Sequence, residues 1–131
     1  MKSYLITSQD FYTQEKESFR KNLQTQLQKH RPDFALFRDK ETAYYETLAE
    51  DFLDVCAAFE STKAFLHRDI ALAQKLGAKG VHLSSDMFDQ ITNAKAAGLE
   101  VVVSTHTYDE ALYAQEMGAD YVTYSPIFAS P

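Results

Sequence analysis

The fold is decided by residues 99–131, which read LEVVVSTHTYDEALYAQEMGADYVTYSPIFASP. An apolar, β-branched run at 101–103 changes abruptly to hydroxyl and imidazole side chains at 104–107. A helical pattern follows and stops at Gly118, and a second apolar run at 121–124 breaks at 125–126. This order predicts strand, polar tip, helix, strand and polar tip. Because barrels of alternating strands and helices carry their chemistry on loops after the strands, the polar tips are where a site is expected.

Composition limits the class of protein. The 131 residues are 45% hydrophobic and 13% aromatic, which is enough for the core of one domain and argues against disorder. A net charge of −6 argues against a broad nucleic-acid surface, although a local basic pocket for a phosphorylated small molecule is compatible with it. Cys56 is the single cysteine, so no intramolecular disulfide can form, and its apolar helical setting favours a buried, inert thiol.

The strand–helix pattern repeats along the chain. The predicted strands are residues 3–7, 34–37, 64–66, 81–83, 101–103 and 121–124. The predicted helices are residues 14–30, 42–59, 70–76, a helix capped by 84–86 that runs to 97, and one that ends before Gly118. Gly77 follows the third helix and suits a left-handed cap. Such alternation predicts an α/β fold with a parallel sheet, and polar residues after every strand indicate one functional face.

Four segments carry a family resemblance. They are FALFRDK (34–40), LGAKGVHL (76–83), VSTHT (103–107) and GADYVTYSPIF (118–128). In order and spacing they resemble thiamine phosphate synthase and its relative, the thiazole tautomerase. The resemblance implies a (β/α)₈ TIM-barrel fold and a thiamine-biosynthetic transferase. The synthase joins hydroxymethylpyrimidine pyrophosphate to thiazole phosphate with Mg²⁺ and releases pyrophosphate.

The resemblance also implies a set of site residues. Ser104 and His106 are expected to be catalytic. The residues expected to bind substrate are Arg38, Lys40, His67, Arg68, Thr105 and Ser125. We expect Arg38, Lys40, His67, Arg68, Ser104 and His106 to converge at one end of the sheet. His82 lies within a strand, and we interpret it as a hydrogen-bonded core histidine.

The chain departs from the synthase pattern at the metal ligands. Leu36 stands where the family usually has Gln, although Arg38 is retained. Arg68 and Met87 stand at the two positions whose carboxylates hold magnesium in the synthase. A cation repels Mg²⁺ and a thioether is a poor ligand for it, so we expect weak or absent magnesium binding.

Two shifted carboxylates are the available metal ligands, Asp69 and Asp86. In one alternative these two carboxylates bind magnesium. In the other alternative no metal binds, and the guanidinium of Arg68 binds an anionic group in its place.

Three functions therefore stay open. The retained Arg-x-Lys and STHT motifs favour the synthase. The missing carboxylates favour the metal-independent tautomerase, in which His106 would act as general acid–base. A degenerate, non-catalytic paralogue that binds a thiamine precursor or serves as an oligomeric scaffold is the third.

The sequence also gives expectations for the extent of the domain, its partners and its location in the cell. Residues 1–131 are expected to form one barrel domain with about six β/α units, without strands seven and eight. We expect either a portion of a longer protein or a second chain over the open edges. The expected partners are small phosphorylated thiamine precursors and a second copy of the chain, with no nucleic acid or membrane. The apolar run within residues 1–10 is too short for a signal peptide, so we expect a cytoplasmic protein.

Overall fold

The computed structural model describes residues 3–7, 16–38 and 45–124, and these alternate between strands and helices. The chain divides into two compact units, Met1–His67 and Arg68–Pro131. All six predicted strands are present, which confirms the α/β class inferred from the sequence pattern.

Among the described residues, the first unit has three parallel strands and two helices. In chain order they are β1 (Tyr4–Ile6), α1 (Lys16–His30), β2 (Phe34–Phe37), α2 (Tyr45–Cys56) and β3 (Lys63–His67). β2 lies between β1 and β3, and Phe34 is in register with both Tyr4 and Lys63. Because right-handed crossovers between consecutive parallel strands put their helices on one side, α1 and α2 cover the same face.

An aromatic core joins those helices to the sheet. Phe19, Leu23 and Leu27 recur every four residues on α1 and are fully buried. The ring of Phe37 lies 6.0 Å from that of Phe19 and 5.5 Å from that of Phe52 on α2. Cys56 ends α2 and is buried, and desolvation raises the pKa of its thiol to about 12. The interpretation of Cys56 as a buried core thiol is therefore confirmed, and a raised pKa disfavours the reactive thiolate.

The second unit continues the same alternation in its described residues, 68–124. In chain order it has α3 (Ile70–Leu76), β4 (Gly80–Leu83), a 3₁₀ turn (Phe88–Gln90), α4 (Ile91–Ala96), β5 (Glu100–Thr105), α5 (Tyr108–Glu116) and β6 (Tyr121–Tyr124). β5 lies between β4 and β6 and is parallel to both. Gly77 ends α3 with φ of 78°, a left-handed conformation that favours glycine, so its predicted cap is confirmed.

In the second unit, the two faces of the sheet differ. Val81 and Leu83 on β4, and Val101 and Val103 on β5, are fully buried. Side chains alternate between faces, so His82 shares the opposite face with every second residue of the neighbouring strands. The registers put Val102 and Ser104 of β5, and Tyr121 and Thr123 of β6, on that face. Ser104, Tyr121 and Thr123 are half-buried, so this face is the more accessible one.

Two predicted helix boundaries are wrong. α2 ends at Cys56 rather than at residue 59, because Ala58 and Phe59 donate to carbonyls only three residues back and tighten the chain into a turn. The helix expected directly after residues 84–86 begins later, since Met87 donates to the Ser84 carbonyl in a turn and a 3₁₀ segment precedes α4. No cap bond from a side chain precedes that segment.

The strand that opens the deciding stretch is longer than predicted. Apolarity places its end at Val103, but Ser104 and Thr105 also belong to β5. Both residues pair with β6, opposite Thr123 and Tyr124, and this pairing extends the strand through polar residues. In the part of the chain that the structure describes, no helix is long and apolar enough to cross a membrane.

Candidate active site

The first group of predicted site residues lies at the carboxyl ends of strands in the first unit. Arg38 directly follows β2 and is exposed, while His67 is the last residue of β3 and is buried. Phe37 is in register with Leu66, so Arg38 and His67 end neighbouring parallel strands at the same edge. The Arg38 backbone N–H donates to the Thr7 hydroxyl at 3.0 Å, which ties the ends of β1 and β2 together, and the Arg38 side chain is exposed.

Leu36, which stands where the resemblance leads us to expect Gln, packs on an aromatic face of the sheet. Leu36 is 1% exposed and shares a sheet face with Phe34, Phe65 and His67. Phe34 and Phe65 pack edge to face with ring centroids 5.7 Å apart. An apolar residue suits this aromatic surface, where an amide side chain would need hydrogen-bond partners.

The second group centres on a histidine–serine pair. The Nε2 atom of His82 on β4 lies 2.7 Å from Oγ of Ser104 on β5. His82 is 5% exposed, whereas Ser104 is half-buried on the accessible face of the sheet. The prediction that His82 is a buried, hydrogen-bonded histidine is therefore confirmed. Its bonding partner, however, is Ser104, one of the two residues expected to be catalytic.

Thr105 lies on the opposite face from Ser104. Its side chain is 1% exposed, and its hydroxyl donates to the Thr123 carbonyl at 2.8 Å. Strand alternation separates these adjacent hydroxyl residues, and Thr105 ties β5 to β6. Its expected role in substrate binding stays a prediction.

His106 follows β5 and is exposed. Its position is fixed through the backbone, because the His106 N–H donates to Oε1 of Glu110 at 2.7 Å. Thr107 caps α5 by accepting from the Glu110 N–H at 3.0 Å. This reciprocal arrangement resembles a capping box and fixes the backbone of His106 at the carboxyl edge of the sheet.

Arg68 is held between β3 and α3 in an unusual backbone conformation. Its φ of 68° lies in the left-handed region, which costs a non-glycine residue about 1 kcal/mol or more. Its N–H donates to the His82 carbonyl at 2.9 Å. Its guanidinium pairs with Oδ1 of Asp86 at 3.2 Å, and both side chains remain exposed.

The two shifted carboxylates do not fit a magnesium site. Oδ1 of Asp69 accepts the Leu72 N–H at 2.9 Å as the N-cap of α3, and Asp86 already faces the cationic Arg68. Mg²⁺ needs near-octahedral oxygen ligands, and a guanidinium beside one of two candidate carboxylates opposes it. Within residues 3–7, 16–38 and 45–124, no cluster of three or more acidic, histidine or cysteine side chains could hold a metal ion.

The structure brings these residues together in two groups, one in each compact unit. Arg38 and His67 form the first. In the second, Arg68 precedes α3 and pairs with Asp86. Ser104 and His106 lie near the end of β5 and directly after it. Lys40 and Ser125 lie outside the described residues. Convergence of all the predicted residues around one pocket stays a prediction.

The family model for thiamine monophosphate synthase matches residues 3–131 of this chain. The chain belongs to the thiamine monophosphate synthase family. The match confirms the family inferred from the four sequence segments, and it spans both compact units.

Curated relatives are named thiamine-phosphate synthase. One from Caldicellulosiruptor bescii is 37% identical over 95 residues, which cover 66% of this chain and 42% of the relative. Another, from Nitrosococcus oceani, is 30% identical over 100 residues, covering 72% of this chain and 45% of the relative. The chain thus spans less than half the length of these members of the thiamine monophosphate synthase family.

A solved structure shows the same fold. Thiamine phosphate pyrophosphorylase from Pyrococcus furiosus superposes with a TM-score of 0.75 and 24% identity, covering 97% of this chain and 61% of that one. The likeness shows a TIM-barrel-like α/β fold, as expected of the thiamine monophosphate synthase family.

His82 is the site residue that sequence reasoning left out. The GVHL segment shows a histidine in an apolar strand, a pattern that favours the core. The missing signal is the register, because only the pairing of His82 with Val102 brings Ser104 within reach across the strands.

Proposed function

We propose that the protein is a thiamine phosphate synthase that couples hydroxymethylpyrimidine pyrophosphate to thiazole phosphate and releases pyrophosphate. The observation that carries this proposal is the family match over residues 3–131, with curated relatives named thiamine-phosphate synthase. The positions of Arg38, Ser104 and His106 at carboxyl ends of parallel strands support it, since catalysis in such folds occurs at that edge.

The proposed reaction needs stabilisation of a leaving group. The bond between the pyrimidine methylene carbon and the pyrophosphate oxygen breaks, and its electron pair leaves with pyrophosphate. The thiazole nitrogen then donates its lone pair to the carbocation and becomes a thiazolium. Positive and hydrogen-bonding groups directed at the departing oxygens lower the barrier, because negative charge develops there.

Each site residue has a proposed role in that step. Arg38 and Lys40 bind the pyrophosphate, and Arg68 adds a third positive charge. Ser104 donates a hydrogen bond to the same group, and His106 lines the pocket beside it. His67, Thr105 and Ser125 complete the proposed substrate-binding set. We also propose that the protein acts in the cytoplasm.

We propose that Arg68 takes over part of the charge neutralisation that magnesium would supply. The family resemblance puts Arg68 at the position of a metal-binding carboxylate, and the fit of Asp69 and Asp86 to Mg²⁺ is poor. An arginine binds phosphate oxygens through several N–H donors in fixed geometry, which suits a site without a metal.

Product formation from the two precursors tests the proposed function. The full-length protein is incubated with hydroxymethylpyrimidine pyrophosphate and thiazole phosphate, and thiamine phosphate and pyrophosphate are quantified. We expect equimolar products and at least a tenfold loss of rate in Ser104→Ala, with His30→Ala as the control at an exposed helix end. Isomerisation of a thiazole carboxylate phosphate without coupling would favour the tautomerase, and binding without turnover a non-catalytic paralogue.

A further inference from the structure

The histidine–serine pair lies across two neighbouring strands in a fixed geometry. His82 is in register with Val102, so Ser104 is the next residue of β5 on the same face as His82. Their side chains meet diagonally, with Nε2 and Oγ 2.7 Å apart, a short distance for a bond between nitrogen and oxygen. Both residues belong to regular strands rather than loops, so the backbone holds this contact rigidly.

Burial divides the pair into an inner and an outer member. His82 is 5% exposed, while Ser104 is half-buried on the accessible face. A ligand at this face therefore meets the Ser104 hydroxyl before it meets the imidazole. The hydroxyl has one proton and can donate in only one direction, so the bond to His82 decides where that proton points.

We propose that His82 is a positioning residue that donates its Nε2–H to Ser104 and thereby directs the Ser104 hydroxyl proton towards an anionic ligand. The inference rests on the proposed function, in which that ligand is pyrophosphate or the pyrophosphate group of the substrate. In the other tautomer Nε2 accepts the hydroxyl proton, and Ser104 then presents only lone pairs to the anion. Pyrophosphate therefore selects the tautomer in which Nε2 is the donor.

The tautomer is measured directly by NMR on the full-length protein labelled with ¹⁵N at histidine. The ring resonances of His82 are assigned by their loss in His82→Gln. We expect the nitrogen shifts of a neutral ring protonated at Nε2, retained when inorganic pyrophosphate is added. A ring protonated only at Nδ1 in the pyrophosphate complex overturns the proposal.

Affinity for inorganic pyrophosphate, measured by calorimetry, tests the consequence for binding. Since a hydrogen bond to a charged group is at stake, we expect His82→Leu and Ser104→Ala each to weaken binding about tenfold. His82→Gln retains an N–H donor of similar reach but cannot act as a base, so it restores most of the affinity. A purely structural role of His82 would give no such rescue at equal thermal stability.

The double variant separates positioning from a direct contact. If His82 acts through Ser104, adding His82→Leu to Ser104→Ala costs little further affinity, whereas independent effects multiply. Independent effects, or failure of wild-type protein to bind pyrophosphate, overturn the inference. Should His82→Leu not fold, His82→Gln and the NMR shifts decide. Wild-type protein that binds pyrophosphate in this pattern without turning over precursors contradicts the proposed synthase activity alone.

Discussion

At the residue scale, one step along β5 puts the hydroxyls of the neighbours Ser104 and Thr105 on different faces of the sheet. Ser104 bonds to His82 on the accessible face, and Thr105 is 1% exposed and bonds to the Thr123 carbonyl. Two hydroxyl residues in sequence look equivalent until the strand's alternation assigns them to different faces.

Thr105→Val tests that assignment. Valine fills the same volume but leaves the Thr123 carbonyl without the 2.8 Å bond that it accepts from Thr105. Because a part-buried hydrogen bond is lost, we expect the free energy of unfolding to fall by about 0.5–1.5 kcal/mol. Urea denaturation measures the change, and Thr107→Ser, which keeps the hydroxyl of the α5 cap, is the matched control. Unchanged stability in Thr105→Val would show that its hydroxyl has no structural role.

The sequence could predict which residues are polar at the carboxyl edge, but not how they pair. Periodicity located all six strands, and the motifs identified Ser104, His106 and Arg38. The end of β5 was placed too early because apolarity stops at Val103, whereas backbone pairing with β6 continues to Thr105. The contact between His82 and Ser104 depends on register between strands, which no local pattern contains.

At the element scale, helix capping gives the Asp69 carboxylate a structural role that needs no metal. Asp69 precedes α3 and accepts the Leu72 N–H, while Gly77 closes the other end of the helix. A seven-residue helix has few internal bonds, so both ends matter for its stability.

Two substitutions of Asp69 distinguish a helix cap from a metal ligand. Asparagine caps helices as well as aspartate does, so Asp69→Asn is expected to keep its stability, whereas Asp69→Ala should lose about 1 kcal/mol. Thermal unfolding with and without Mg²⁺ measures both. If Mg²⁺ stabilises the wild type but not Asp69→Asn, the carboxylate binds metal after all.

Arg20 on α1 links the first two helices through two carboxylates of α2. Its guanidinium bonds to Oδ1 of Asp51 at 2.9 Å and to Oδ2 of Asp54 at 2.5 Å, and these bonds raise the pKa of Arg20. Asp51 is 5% exposed, so the bond to Arg20 compensates for part of the desolvation of its carboxylate.

Arg20→Ala removes a bond from the buried Asp51 and should lower the free energy of unfolding by about 1–3 kcal/mol. Lysine cannot bond to two carboxylates in the same planar geometry, so Arg20→Lys is expected to fall between alanine and the wild type. Lys21→Ala, at an exposed neighbouring position, should change stability by less than about 0.5 kcal/mol. Equal effects of Arg20→Ala and Lys21→Ala in urea denaturation would contradict the role of the pair.

At the scale of the whole molecule, net charge and family membership both bear on how the protein binds anionic substrates. The chain carries a net charge of −6, yet the proposed substrates are anionic. Attraction must therefore come from local cations such as Arg38 and Arg68, since the overall field opposes an anion. The family match extends over both compact units, although Arg68 and Met87 stand where the resemblance leads us to expect magnesium ligands.

The last prediction is that pyrophosphate binding and turnover persist without magnesium. With Arg68 in place of a metal-binding carboxylate, we expect turnover in EDTA to stay within about threefold of that in Mg²⁺, because the guanidinium supplies the charge.

Asp86→Ala removes the carboxylate that lies 3.2 Å from Arg68, so it should strengthen pyrophosphate binding several-fold. It should change stability by less than about 1 kcal/mol, since an exposed ion pair contributes little. Arg68→Ala is the opposing variant and should weaken binding. Turnover that requires Mg²⁺ and disappears in Asp86→Ala would instead make Asp86 a metal ligand, with Arg68 as its counterion rather than a substitute for the metal.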